Sequence, residues 1–192
     1  MADSFLPQRG NFRDLITFQK AECIYDVTFY FAHQFLSKGD RTIDQMIQAA
    51  RSGKQNIVEG SAASTGSRET ELKLLNVARA SFQELLVDYE DYLRVRELEC
   101  WPFDSEKGRK CREVCYRKND SSYYREAIRE RSDTAIANIA ITLIHQEDVM
   151  LRKLIEAIKR QFVENGGIRE EMSKARIEYR KRNGNRREDG NK

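Results

Sequence analysis

Leu75, Ala78, Phe82, Leu85, Tyr89 and Tyr92 follow one another at steps of 3, 4, 3, 4 and 3 residues. That spacing keeps returning to one face of an α-helix. Leu72, Leu86 and Leu93 widen the face. A helix with so broad an apolar stripe has to bury it against other elements, which commits the chain to packed helices. Ser67 can cap its start, and Glu69 and Glu71 sit well at the positive end of the helix dipole. Trp101-Pro102 stops it, because proline lacks the N–H and clashes with the preceding turn. The predicted helix covers 67–98.

The same periodicity marks three more helices. The first covers about 14–37, where Ile24, Val27, Phe31 and Phe35 form one stripe and Phe18, Tyr25 and Phe29 an adjacent one. Gly39 supplies a stop, since glycine enters the left-handed conformation cheaply. The next covers about 42–62 and opens on a capping box, Thr42 through Gln45. The last covers about 132–163, and Gly166-Gly167 closes the globular part, 1–165. Between 99 and 131 the apolar positions thin out and charges crowd in. That insert reads as a loop with one short helix. With no strand pattern and no internal repeat, the expected fold is all-α, an up-down-up-down four-helix bundle.

Charge is distributed unevenly. The chain nets only +3, yet from Ile168 to Lys192 there are nine Lys or Arg against five Asp or Glu. Residues 166–192 therefore read as a basic, flexible tail, densest at Arg180, Lys181, Arg182, Arg186 and Arg187. Such a tail either solvates the protein or reaches phosphates. No apolar run is long enough to span a bilayer. Met1 to Phe5 lacks the basic start and apolar stretch of a signal peptide. A cytoplasmic location with no membrane association is expected, and Cys23, Cys100, Cys111 and Cys115 are then expected as free thiols.

The chemistry-bearing residues do not assemble into an enzyme. A di-iron bundle needs Glu-x-x-His pairs, but Tyr30 precedes His33 and Thr142 precedes His145 by three positions. Cys111-x-x-x-Cys115 with Cys100 could offer thiolates to zinc, but no fourth ligand lies nearby and the spacing is not that of a finger. Ser61 to Ser67 lacks the Lys-Ser/Thr ending of a phosphate loop. Asn56, Glu59 and Gly60, late in the second helix, read as a structural junction: polar groups bonded to backbone, and a glycine ending the helix or allowing close approach. Tyr116, Tyr123 and Tyr124 lie among Arg112, Arg117, Lys118 and Arg125. That composition fits a lid packing its rings on the bundle, or a single-stranded nucleic-acid site. No catalytic residue, cofactor or metal is expected.

Ala135 to Ile144 is apolar nearly all round. A helix with two apolar faces must bury both, and a second copy of the chain is one way to do so. Ile136, Ile139 and Leu143 are the expected oligomer interface. Cover by the insert or tail of the same chain is the other reading.

The string Gln45-Met46-Ile47-Gln48-Ala49-Ala50-Arg51-Ser52, then Asn56-Ile57-Val58-Glu59-Gly60, then Ala78 and Glu84-Leu85, resembles a small four-helix-bundle family. Its members include proteins encoded in intervening sequences of bacterial large-subunit ribosomal RNA genes and the accessory subunit of diversity-generating retroelements. The likeness spans roughly Leu15 to Leu98 and more loosely Ser132 to Phe162. It implies a ring-like homo-oligomer, commonly a pentamer, without enzymatic activity. For the retroelement relative it also implies a basic surface that binds nucleic acid and a reverse transcriptase. The expectation is therefore a non-enzymatic homo-oligomeric bundle that binds RNA, DNA or a nucleic-acid enzyme. Its nucleic-acid contacts would be Arg51 and Lys54, which share a helix face, together with the five tail cations. The alternative is a protein-interaction scaffold that binds no nucleic acid.

Overall fold

The computed structural model describes residues 11–166, 170 and 172–180. Among them the regular elements are all helical, with no strand. A 3-10 turn, Phe12–Asp14, leads into α1 (Ile16–Phe35), α2 (Arg41–Ala63) and α3 (Arg68–Val95). Then come α4 (Glu106–Arg117), α5 (Ser121–Ala127) and α6 (Asp133–Asn165).

Every α-helix start except that of α1, which follows Leu15, has a side chain that accepts a backbone N–H otherwise left without a partner. Ser67 accepts from Thr70, Ser105 from Gly108, Asp120 from Ser122 and Ser132 from Ala135. The predicted capping box at Thr42 is displaced: Asp40 caps α2, its Oδ1 2.9 Å from the Thr42 amide. A carboxylate there also meets the positive end of the dipole. Gly166 caps α6 with φ +81°, a conformation other residues avoid, whereas α1 ends at Phe35 with extended Leu36 as its cap, and Gly39, expected as its stop, takes φ +90° in the turn before α2.

The four long helices pack so that each touches two others: α1 with α2 and α6, and α3 with α2 and α6. Ion pairs and hydrogen bonds fix the directions. Arg79 on α3 meets Asp148 on α6 at 2.9 Å, and further along α3 the Tyr92 hydroxyl donates to Asp133 at 2.9 Å. Rising numbers on one helix meet falling numbers on the other, so α3 and α6 are antiparallel. The α2–α3 contacts run the same way. Gly53 lies against Phe82, and Gly60 lies against Leu74 and Leu75. At the centre Phe31 stacks against Tyr89 and Tyr92, with centroids 5.0 and 4.8 Å away, and the Tyr89 hydroxyl donates to Thr28.

Several expectations need correction. The insert holds two helices, α4 and α5, rather than one short helix in a loop. α4 buries Gly108, Cys111 and Cys115, weak apolar residues whose spacing suits a helix but which hardly raise its hydropathy, and the α5 segment buries Tyr124 and Ile128. Gly60 does not end α2, which runs on to Ala63, and it has no positive φ. Ile136, Ile139 and Leu143 are not an open face awaiting a second copy. All three are buried within one chain, because α1, α3 and α4 cover α6 between them. The predicted tail is helical over 172–180.

Candidate functional site

Tyr25, Phe29 and His33 are spaced four residues apart on α1, so their rings rise along one side of the helix. Ring centroids are 6.2 Å apart for Tyr25 and Phe29 and 4.3 Å for Phe29 and His33. Phe29 leaves 48% of its surface exposed, an unusual state for a phenylalanine at mid-helix. These rings form one wall of an open groove of about 440 Å³, and Arg125, Ile128 and Arg129 at the end of α5 line the other side. The Tyr30 hydroxyl donates to the Arg129 carbonyl at 3.2 Å, tying the two walls together. His33 Nδ1 lies 2.8 Å from the Phe29 carbonyl, and the residue is exposed.

Cations ring this groove. Lys54 Nζ sits 4.2 Å above the Tyr25 ring, a cation–π contact. Arg125 is paired with Asp26 at 3.7 Å and remains largely exposed, and Arg129 is exposed. The wall thus offers the rings of Phe29 and His33 for stacking, with Lys54 over Tyr25 at one end and Arg125, paired with the lining carboxylate of Asp26, and Arg129 across from them. That pairing suits an unpaired base joined to a phosphate.

Of the residues expected to touch nucleic acid, Lys54 lies at this groove and Arg51 is exposed one turn earlier on α2. Arg180 is exposed at the end of the helical stretch 172–180. Lys181, Arg182, Arg186 and Arg187 lie outside the described residues. Tyr25 and Phe29 were legible only as part of a second apolar stripe, and His33 only as a histidine without the partner a metal site needs. Arg125 stood out only beside the insert's tyrosines, of which Tyr124 is buried, Tyr123 half-buried and Tyr116 exposed. Tyr124 therefore packs as a lid residue.

The junction in α2 is local. Asn56 Nδ2 donates to the Ser52 carbonyl at 2.9 Å and reaches Ser52 Oγ, while Ser52 Oγ meets Ser81 Oγ of α3 at 2.9 Å. Glu59 is exposed. A second groove, between α2 and α3, is acidic and polar, lined among others by Asp44, Glu84 and Asp88. Partial burial, with Glu84 and Asp91 nearby, raises the Asp88 pKa.

Beneath the insert is a sealed polar cluster. Lys20 of α1 is buried, and its ammonium donates to the carbonyls of Cys115 and Lys118 and to Gln146 Oε1. Burial lowers its pKa. Glu147 of α6 is fully buried and neither of its oxygens has a hydrogen-bond partner; burial raises its pKa well above the usual carboxylate range. Thr17 Oγ1 and Asn119 Oδ1 are buried without partners too. Perturbed titration of this kind is common at active sites, but neither groove reaches these groups.

No helix among the described residues is long and apolar enough to cross a membrane. Compared with known proteins, the chain matches no family model, no curated protein and no solved structure. An all-helical protein with an aromatic, cation-flanked groove is the class that the fold and this surface define.

Proposed function

We propose that this chain is a non-enzymatic up-down-up-down four-helix bundle that binds single-stranded nucleic acid in the groove between α1 and α5. One observation carries the reading: the row of half-buried Tyr25 and exposed Phe29 and His33, with Lys54 at one end and Arg125 and Arg129 beside it. Bases stack on the rings whatever their identity, and the cations take the backbone. The cyclic packing of four long helices, with α3 antiparallel to α2 and α6, supports the bundle reading.

A ring of such subunits, a pentamer by the resemblance given above, would repeat the groove once per protomer. Weak sites held together bind far more tightly than one copy does. A nucleic-acid enzyme such as a reverse transcriptase is the protein partner that fits an accessory role of this kind. The scaffold alternative, a partner helix lying in the groove, uses the apolar part of the wall and leaves the arginines idle.

The test is binding of labelled single-stranded RNA and DNA across a salt series. Phosphate contacts make affinity fall steeply with salt. Binding that weakens with salt and is weakened further in Phe29→Ala supports the proposal. Negligible binding at low salt overturns it in favour of the scaffold.

A further inference from the structure

Cys111 and Cys115 occupy successive turns of α4 on its buried side, and their sulfurs lie 3.9 Å apart. Both are free thiols. A disulfide would need a separation of about 2 Å, and residues four apart on a helix hold their Cβ atoms about 5–6 Å apart, too far for one without unwinding the turn. At 3.9 Å the two thiols are instead within hydrogen-bond contact of each other, a separation at which one ion can take the place of the bonding proton. Metal–thiolate bonds are about 2.3 Å long, so two sulfurs sharing one ion lie at most about 4.6 Å apart. The observed spacing falls inside that limit.

The surroundings decide which ion. Among the described residues, no group of three or more His, Cys, Asp and Glu side chains is placed to hold a metal. A four-coordinate zinc site is therefore incomplete, whereas soft thiolates select copper(I), an ion content with few ligands. We propose that Cys111 and Cys115 form a two-thiolate site for a single copper(I) ion, buried between α4 and α6. Cys111 keeps 9% of its surface exposed, which leaves a way in, and Cys115 lies behind it at 1%. The Cys111 thiol donates to Thr142 Oγ1 of α6 at 3.4 Å, so the far wall of the site is polar.

Binding is a proton exchange. Copper(I) displaces the thiol hydrogens of Cys111 and Cys115: two S–H bonds break, two S–Cu bonds form, and both protons leave to solvent. No electron moves. The resulting bis-thiolate carries one negative charge, and buried Lys20, bonded to the Cys115 carbonyl, stands close enough to balance it.

The full chain is titrated anaerobically with copper(I) against bicinchoninate, and near-ultraviolet thiolate-to-copper absorption and metal retained on gel filtration are read. One ion per chain is expected, with its absorption lost in Cys111→Ser and in Cys115→Ser and kept in Cys23→Ser and Cys100→Ser. Circular dichroism checks each fold. Should Cys115→Ser fail to fold, Cys115→Ala replaces it, and protection of wild-type Cys111 from iodoacetamide by copper(I) is mapped by peptide. Retention of the ion without Cys111 or Cys115, its loss in Cys100→Ser, or an unprotected Cys111 overturns the site. Cobalt(II) giving the strong visible bands of a tetrahedral thiolate centre overturns the two-coordinate assignment.

Discussion

Lys20 on α1 donates to the main-chain carbonyl of Cys115 on α4, so a cation from one helix closes the C-terminal turn of another. Carbonyls at a helix end have no partner within the helix and carry its negative pole. Lys20 meets that pole and, through Lys118 and Gln146, links the insert to α6. The insert is thus fastened from beneath.

Lys20→Met should therefore loosen α4 and α5 first. Leaving those buried carbonyls without a donor costs about 1–3 kcal/mol. Denaturant unfolding should report a loss in that range, and hydrogen exchange should rise within 106–127 before the rest of the chain. Equal protection of the insert in the variant would show that Lys20 fastens nothing.

Glu147 gives a pH signature. Its folded pKa is raised, so the folded state holds a proton the unfolded state releases. Its contribution is intact below the unfolded value of about 4.3 and is lost as pH rises through the folded one. Glu147→Gln keeps the shape and cannot ionise. The stability of the variant relative to wild type should grow from pH 4 upward, read as the difference between two melting curves at each pH. A difference that stays flat with pH contradicts the buried protonated acid.

Gly53 and Gly60 should part company. A Cβ on Gly53 would fall 2.5 Å from the Phe82 ring, and Phe82 is fully buried with nowhere to go. Gly53→Ala should cost about 1–3 kcal/mol by overpacking. At Gly60 the nearest atom is 3.5 Å away. Gly60→Ala should be neutral or stabilising by up to about 1 kcal/mol, because alanine is the better helix former. Thermal melts of the two variants settle the order.

In the groove, Phe29→Ala should weaken single-stranded binding by about 1–3 kcal/mol, the usual worth of one stacked base. Phe29 is half exposed, so the melting temperature should hold. Arg125→Ala with Arg129→Ala should flatten the salt dependence instead. If both changes leave affinity and salt slope untouched, nucleic acid does not lie there.

Leu143→Asp should unfold the chain rather than dissociate an assembly. Leu143 is fully buried within one protomer, and a charge left unpaired there costs several kcal/mol. Circular dichroism together with light scattering separates the outcomes. A folded monomer of the variant beside an oligomeric wild type would restore the interface reading.

The helices were legible in the sequence because burial on one face leaves a period of three and four residues, and α3 and α6 show it over many turns. The stop of α6 was legible at Gly166, where backbone sterics act alone, while α1 ends four residues before Gly39. Tertiary structure decided the rest. Ile136, Ile139 and Leu143 look the same in sequence whether a neighbouring copy or α1, α3 and α4 cover them, since hydrophobicity has no direction. The insert hid two helices because glycine and cysteine make the buried stripe of α4, and α5 is too short to repeat its one buried ring, Tyr124. Tyr25 and Phe29 read as core, and only the place where α5 ends leaves Phe29 open to solvent. Local periodicity fixes an element and its greasy side; which partner arrives, and how far it reaches, depends on contacts between residues far apart in the chain.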